Sequence, residues 1–248
     1  MKIVKYKKNS KGRYIVSVDD GREFLLYEDV ILKFNLLLTK EIDDNLLNDI
    51  NKMNNEYEVY YAALNTIKNR IKSIYELRKY LENKGYDLEL IDKILLKLID
   101  QKYLDDRIYA RSYINNQIVT TSHGPIRIKN DLLNKKVESN IIDDELTVFD
   151  VELQIEKIDK IIKKIIKSNK SNGGLVLKQK VINELKNKGY EFSIISNIID
   201  NYDFSRDDIS KKEYDKLYKK YSKKYQGQDL KRIVREKMFM KGLSYEEE

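Results

Sequence analysis

The sequence predicts a mainly α protein of tandem three-helix repeats stacked as a solenoid, with a small antiparallel β meander at its N-terminal end. Three observations predict it. A single proline in 248 residues favours long uninterrupted helices, because proline lacks the amide proton and clashes with the preceding turn. From Glu28 onward apolar residues recur at helical spacing. A helix-ending pattern also returns at a near-constant interval, with anchors Leu81, Leu132, Leu185 and Met238 spaced 51, 53 and 53 residues apart. Such a period, filled with helical patterning alone, fits three helices per unit.

The meander comes first. Ile3, Val4 and Tyr6 form one β-type run, Tyr14 to Val18 a second, and Phe24 to Leu26 a third. Asn9-Ser10-Lys11-Gly12 and Asp19-Asp20-Gly21 supply the turn chemistry between them. Three such short strands need a helix to lean on. Val30, Ile31, Phe34, Leu37 and Leu38 then share a helical face, and Leu46, Leu47 and Ile50 the next. A long helix is expected from about Asn55 to Lys72, burying Val59, Ala63, Leu64, Ile67 and Ile71.

The repeat follows from its first copy. Ser73 and Glu76 form a capping box that satisfies free amides at a helix start. Leu77 and Leu81 face inward, and Gly85 can take the left-handed conformation that closes the helix. Asp87 caps a third helix carrying Leu88, Ile91, Leu95 and Leu98. In the second copy Gly124 precedes Pro125, which suits a first helical position, and Lys136 stands where the glycine would be. The third copy, ending at Leu185 and Gly189, opens after Ser171-Asn172-Gly173-Gly174, which reads as a flexible break. A looser fourth ends at Gly242. These patterns divide the chain into a meander-plus-helix module at 1–52, repeats at 53–103, 104–150 and 151–203, and a partial, basic fourth repeat at 204–248.

Composition excludes much chemistry. Without cysteine there are no disulfides or thiolate metal sites, and one histidine, His123, cannot supply a dyad. The acidic pairs Asp43-Asp44, Asp105-Asp106, Asp143-Asp144 and Asp207-Asp208 are the residues a Mg²⁺ nuclease would need, but no set of polar residues converges with them, and a helix cap is the favoured reading of Asp105. Gly173-Gly174 lacks the Lys-Ser/Thr and the preceding strand of a phosphate loop, so no cofactor, metal or catalytic residue is expected. No apolar run approaches a membrane span and the N-terminus has no signal-peptide core, so a cytoplasmic, membrane-free location and a monomeric state are expected.

Charge points to a partner. Residues 1–210 carry 36 Lys and Arg against 34 Asp and Glu, whereas residues 211–241 carry 12 against 4. A concentrated basic stretch suits a polyanion, nucleic acid before membrane, although a solvated lysine-rich face has the same composition. Lys219, Lys220, Lys223, Lys224, Arg232 and Arg235 lie in it, interleaved with Tyr214, Tyr218, Tyr221 and Tyr225. Those tyrosines form either the inner face of an amphipathic helix, the reading we favour, or a stacking surface for bases. Further candidates are Arg70, Lys72, Arg78 and Lys79 near the first junction, Arg107 and Arg111 one turn apart, and Arg127 with Lys129. Ion pairing between repeats is the competing role for them.

Three stretches resemble the RecX regulators of RecA. They are Ser73 to Tyr86, then Tyr103-Leu104-Asp105-Asp106-Arg107-Ile108-Tyr109-Ala110, and Gly124-Pro125-Ile126-Arg127-Ile128 with Leu132. The match is firm over residues 55–150 and looser over 177–245. It departs from the family pattern at Lys136, and in having four anchors where short members have three. The resemblance implies an elongated, curved array and a non-enzymatic protein of DNA repair, homologous recombination and the SOS response. Such a protein binds RecA and its filament on single-stranded DNA, with double-stranded DNA a further partner, and restrains ATP hydrolysis and strand exchange. A helical-repeat DNA-binding protein acting without RecA is the alternative.

Overall fold

The change of period at Glu28 is where the chain passes from sheet to helix. The computed structural model describes residues 1–10, 12–39 and 41–245. Strands β1 (Ile3–Lys8), β2 (Tyr14–Val18) and β3 (Glu23–Leu26) pair antiparallel in the order β1-β2-β3. Val16, Val18 and Leu26 turn inward. Of the first expected turn, Lys11 lies outside the described residues, as do the last three glutamates of the chain.

Two helical expectations are corrected here. Helix α1 (Glu28–Lys33) ends at Phe34 because Asn35 takes a left-handed φ of 50°, leaving Leu37 and Leu38 exposed. Helix α2 (Asp44–Asn69) absorbs both the Leu46-Leu47-Ile50 stripe and the helix expected from Asn55, since no glycine or proline separates them. Asp43 caps it by accepting from the Leu46 amide at 2.7 Å. The expected division at residue 52 falls inside α2, which packs through Ile50 on the sheet module and through Val59 and Ala63 on the first repeat. Ile71 lies past its end and is half exposed.

Then the repeats follow as a longer helix and two shorter ones. After α2 come α3 (Ile74–Asn83) and α4 (Leu88–Asp100), then α5 (Asp106–Thr120), α6 (Pro125–Asn134) and α7 (Ser139–Leu146). Next are α8 (Val151–Ser168), α9 (Gly174–Asn187) and α10 (Phe192–Ile199), and finally the pair α11 (Asp207–Tyr221) and α12 (Gly227–Phe239). The chain forms two compact units: Met1–Tyr109 with Lys135–Val137, and Ala110–Asn134 with the chain from Glu138 on. Leu77, Leu81, Ile91, Ile94 and Leu98 centre the repeat core of the first. In the second, Ile128, Leu132, Ile142, Ile158, Leu177, Val181 and Leu185 are fully buried.

Each middle helix stops in the same way. The residue four beyond each anchor has positive φ: Gly85 at 83°, Lys136 at 59°, Gly189 at 89° and Gly242 at 69°. Lys136 thus adopts the glycine conformation, at a cost of roughly 1–2 kcal/mol for a residue with a Cβ. The carbonyl just before this turn is then claimed by the previous repeat. Within the first unit the Ser73 hydroxyl donates to the Lys135 carbonyl at 3.2 Å. Within the second, the Gly124 amide donates to Lys188 at 2.7 Å and the Gly173 amide to Lys241 at 2.9 Å. Donors at one helix start, a hydroxyl at Ser73 and amides at Gly124 and Gly173, therefore satisfy free carbonyls at another helix end, with opposite dipole ends together.

The approach is close enough to dictate glycine. A Cβ on Gly124 would sit 2.5 Å from the Gly189 carbonyl oxygen, and one on Gly242 would sit 2.0 Å from that of Gly173. The expected flexible break at Gly173-Gly174 is instead a tight joint with both amides bonded, Gly174 to the Phe204 carbonyl at 2.7 Å. Substituting Gly189→Ala should destabilise the protein by about 2 kcal/mol or more, through left-handed strain and the Arg127 backbone 2.5 Å away. Lys136→Gly should stabilise it by about 1 kcal/mol. Urea unfolding of the two variants checks both signs.

Candidate interaction surface

The motif that carries the resemblance is consumed by architecture. Leu104, Tyr109 and Ala110 are buried. Asp105 caps α5, accepting from the Arg107 amide at 2.7 Å and the Ile108 amide at 3.2 Å. Asp106 reaches back to the Ile74 amide at 2.8 Å and so finishes the start of α3. The capping box is complete there: Ser73 accepts from the Glu76 amide at 3.1 Å and Glu76 from the Ser73 amide at 3.3 Å. Glu76 also pairs with Lys135. Burial alone would raise its carboxyl, but hydrogen bonds from Lys135, the Ser73 amide and Tyr109 hold it below the usual range.

Of the fourteen candidate arginines and lysines, at least five are held by carboxylates. Arg111 makes a two-pronged bond to the buried Glu145, at 2.7 and 3.1 Å, an arrangement lysine cannot copy. Arg78 pairs with Asp92, Lys79 with Glu82, and Lys129 with Asp143. Arg232 lies between Asp229 and Glu236. Arg206, which the sequence did not single out, donates to the Ile166 and Asn169 carbonyls at 2.7 and 2.6 Å and so closes the end of α8. Arg70, Arg107, Arg127 and Arg235 are exposed.

One place on the first unit combines basic and apolar groups. A cleft of about 150 Å³ is lined by Ile67, Ile71, Lys72, Lys102, Tyr103, Asp105 and Ile108. Its apolar members lie open to solvent: Tyr103 is 59% exposed, Ile108 52% and Ile71 48%. Helical periodicity assigned Ile71 to the core and gave no sign of the other two. The signal lies in the end of α2 at Asn69, which frees the next residues from the buried stripe. Exposed aromatic and branched side chains ringed by cations are what a protein-binding surface presents.

On the second unit the basic stretch forms α11, α12 and the loop between them. Lys219, Lys220, Lys223 and Lys224 are all exposed there. The tyrosine stripe divides: Tyr214 is buried and Tyr221 packs beside it, but Tyr218 and Tyr225 are about 40% exposed. The inner-face reading therefore holds for two of the four.

The acidic pairs serve helix ends and ion pairs. Asp43 and Asp105 are caps, Asp143 bonds Lys129 and Ser139, and Asp208 binds Arg206. His123 sits between helices with Nδ1 3.1 Å from the Gln117 side-chain oxygen, and burial followed by the Arg127 charge lowers its pKa. Among the described residues no cluster of three His, Asp or Glu could hold a metal, and no helix is long and apolar enough to cross a membrane.

These features define a helical-repeat protein whose exposed chemistry is that of a binding surface. The family model described as RecX, second three-helix domain, matches residues 105–146. A regulatory protein RecX of Streptococcus gordonii is 32% identical over 99% of this chain and 96% of its own length. The crystal structure of a regulatory protein RecX superposes with a TM-score of 0.71 at 29% identity, covering 81% of this chain and 99% of that one. A second, RecX from Lactobacillus salivarius, gives 0.56 at 28% identity, over 59% and 96% of the two chains. The chain belongs to the RecX family of regulatory proteins.

The lowered pKa of Glu76 makes a signed prediction. A depressed carboxyl contributes stability above its ordinary range, and that contribution is lost as pH falls through the folded value. Lys135→Met should therefore be clearly less stable than the parent at pH 7, and the gap should narrow at about pH 3, below the usual glutamate value. Urea unfolding at the two pH values measures it.

Proposed function

We propose that this chain is a non-enzymatic regulator that binds RecA and the RecA filament on single-stranded DNA, restraining ATP hydrolysis and strand exchange in the cytoplasm. The observation that carries the reading is membership of a family whose relatives are named regulatory proteins. The carboxylates that could have served chemistry are spent on caps and ion pairs, which also favours a binding role.

Within this reading the cleft around Tyr103 is the protein contact, with Arg70, Lys72 and Arg107 at its side. The lysines of α11 and the following loop take DNA phosphates, joined by Arg127 and Arg235. The direct test is RecA strand exchange with added protein. Stoichiometric inhibition is expected, and Tyr103→Ala should weaken it about tenfold or more, as loss of a buried aromatic anchor does. No effect of the parent protein on RecA would sink the reading.

The phosphate assignment has its own measurement. Replacing Lys219, Lys220, Lys223 and Lys224 by Gln should flatten the salt dependence of filament binding by up to about 3 log units per log unit of salt. Tight, steeply salt-dependent binding to DNA alone, with RecA unaffected, would instead mark a free-standing DNA-binding repeat.

A further inference from the structure

Every internal joint has two halves: the start of one middle helix, and the left-handed end of the next. Three starts are matched, at Ser73, Gly124 and Gly173, by three ends, at Lys135, Lys188 and Lys241. Among the described residues, two halves have no match. One is the end of α3, at Lys84, Gly85 and Tyr86. The other is the start of α12, at Gln226, Gly227 and Asp229.

Both open halves keep the shape of the closed ones. Gly227 has φ 58° beside 50° for Gly174, and Gly85 has 83° beside 89° for Gly189. Their surroundings differ. A Cβ on Gly124, Gly173, Gly189 or Gly242 would meet a neighbour within 2.7 Å, while one on Gly85 or Gly227 meets nothing within 4 Å. Ser73, Gly124 and Gly173 are buried at matched joints, as are Val137, Tyr190 and Leu243 after the left-handed residue. At the open halves Gln226 and Gly227 are exposed, as are Lys84 and Gly85, and Tyr86 is only half buried.

Charge is placed to match as well. Glu76, third residue of α3, pairs with Lys135, three residues beyond the Leu132 anchor. Asp229 is the third residue of α12, and Lys84 lies three beyond Leu81. We propose that a second copy of this chain completes the joint: the start of α12 of one copy docks on the end of α3 of the next, with Asp229 of one pairing with Lys84 of the other. The contact is heterologous, so each copy offers one half of the joint to a neighbour on either side. It is small, so the dilute chain is monomeric and association begins when copies are concentrated. It does not depend on the RecA reading.

Sedimentation velocity of the full chain, up to about 1 mM, tests it. The average mass should rise continuously with concentration. Lys84→Glu and Asp229→Lys should each weaken association about tenfold, since like charges then face each other. An equimolar mixture of the two variants should recover it, as should both changes in one chain, because each restores opposite charges at every joint. Circular dichroism of the variants should match the parent, both side chains being exposed. A monomer at every concentration overturns the proposal, as does association indifferent to the single reversals or not recovered by the mixture.

Discussion

The structure depends on one contact, in which the amide-rich start of a middle helix meets the carbonyl-rich end of the next middle helix. A helix leaves four amides and four carbonyls without partners at its ends. Short helices such as α3 and α6 spend a large share of their backbone that way, and the residues just ahead of their first turns, Ser73 and Gly124, are themselves buried. Joining start to end satisfies one or two of these groups on each side and sets positive against negative dipole ends. The left-handed turn is what presents the final carbonyl outward, so glycine at 189 and 242 is a requirement of the joint as much as of the helix stop.

Several side chains of the most recognisable motif are held by structure, while Tyr103 and Ile108 within it stay exposed. Asp105 and Asp106 cap two helices, Tyr109 and Ala110 fill the core, and Glu76 gathers Lys135 and the Ser73 amide. Residues locked by that many partners have little left to offer another molecule. Side chains that the joints leave exposed include Tyr103, Ile108 and the α11 lysines.

Periodicity made much of this legible. The anchors at 81, 132, 185 and 238, the capping box and the glycine stops all act locally, so a one-dimensional pattern records them. Lys136 shows the limit from one side: its departure from glycine was visible, but the left-handed φ it takes all the same was not. Gly173-Gly174 shows it from the other, because glycine permits flexibility and close approach alike and only the neighbour at Gly242 decides between them. The merging of two stripes into α2 and the exposure of Ile71 depend on where a helix stops, which no single cap marks at Asn69. For the arginines, a carboxylate partner about 34 residues away, as Glu145 is from Arg111, leaves no local trace.

The partial fourth repeat raises a different question of cause. Terminal units of repeat arrays need a polar outer face, since no neighbour covers them. That need explains why α11 and α12 carry so many charges, but not their sign. Solubility is served as well by mixed charges, and better by carboxylates than by lysines. Yet residues 211–241 hold 12 basic groups against 4 acidic ones, while the preceding 210 residues are nearly balanced. Three of those four acidic groups have basic partners in the chain, Glu213 with Lys241 and both Asp229 and Glu236 with Arg232. What remains is a predominantly basic surface with two exposed tyrosines, whose self-repulsion a neutral cap would avoid. Such a surface makes physical sense when a polyanion is there to relieve it.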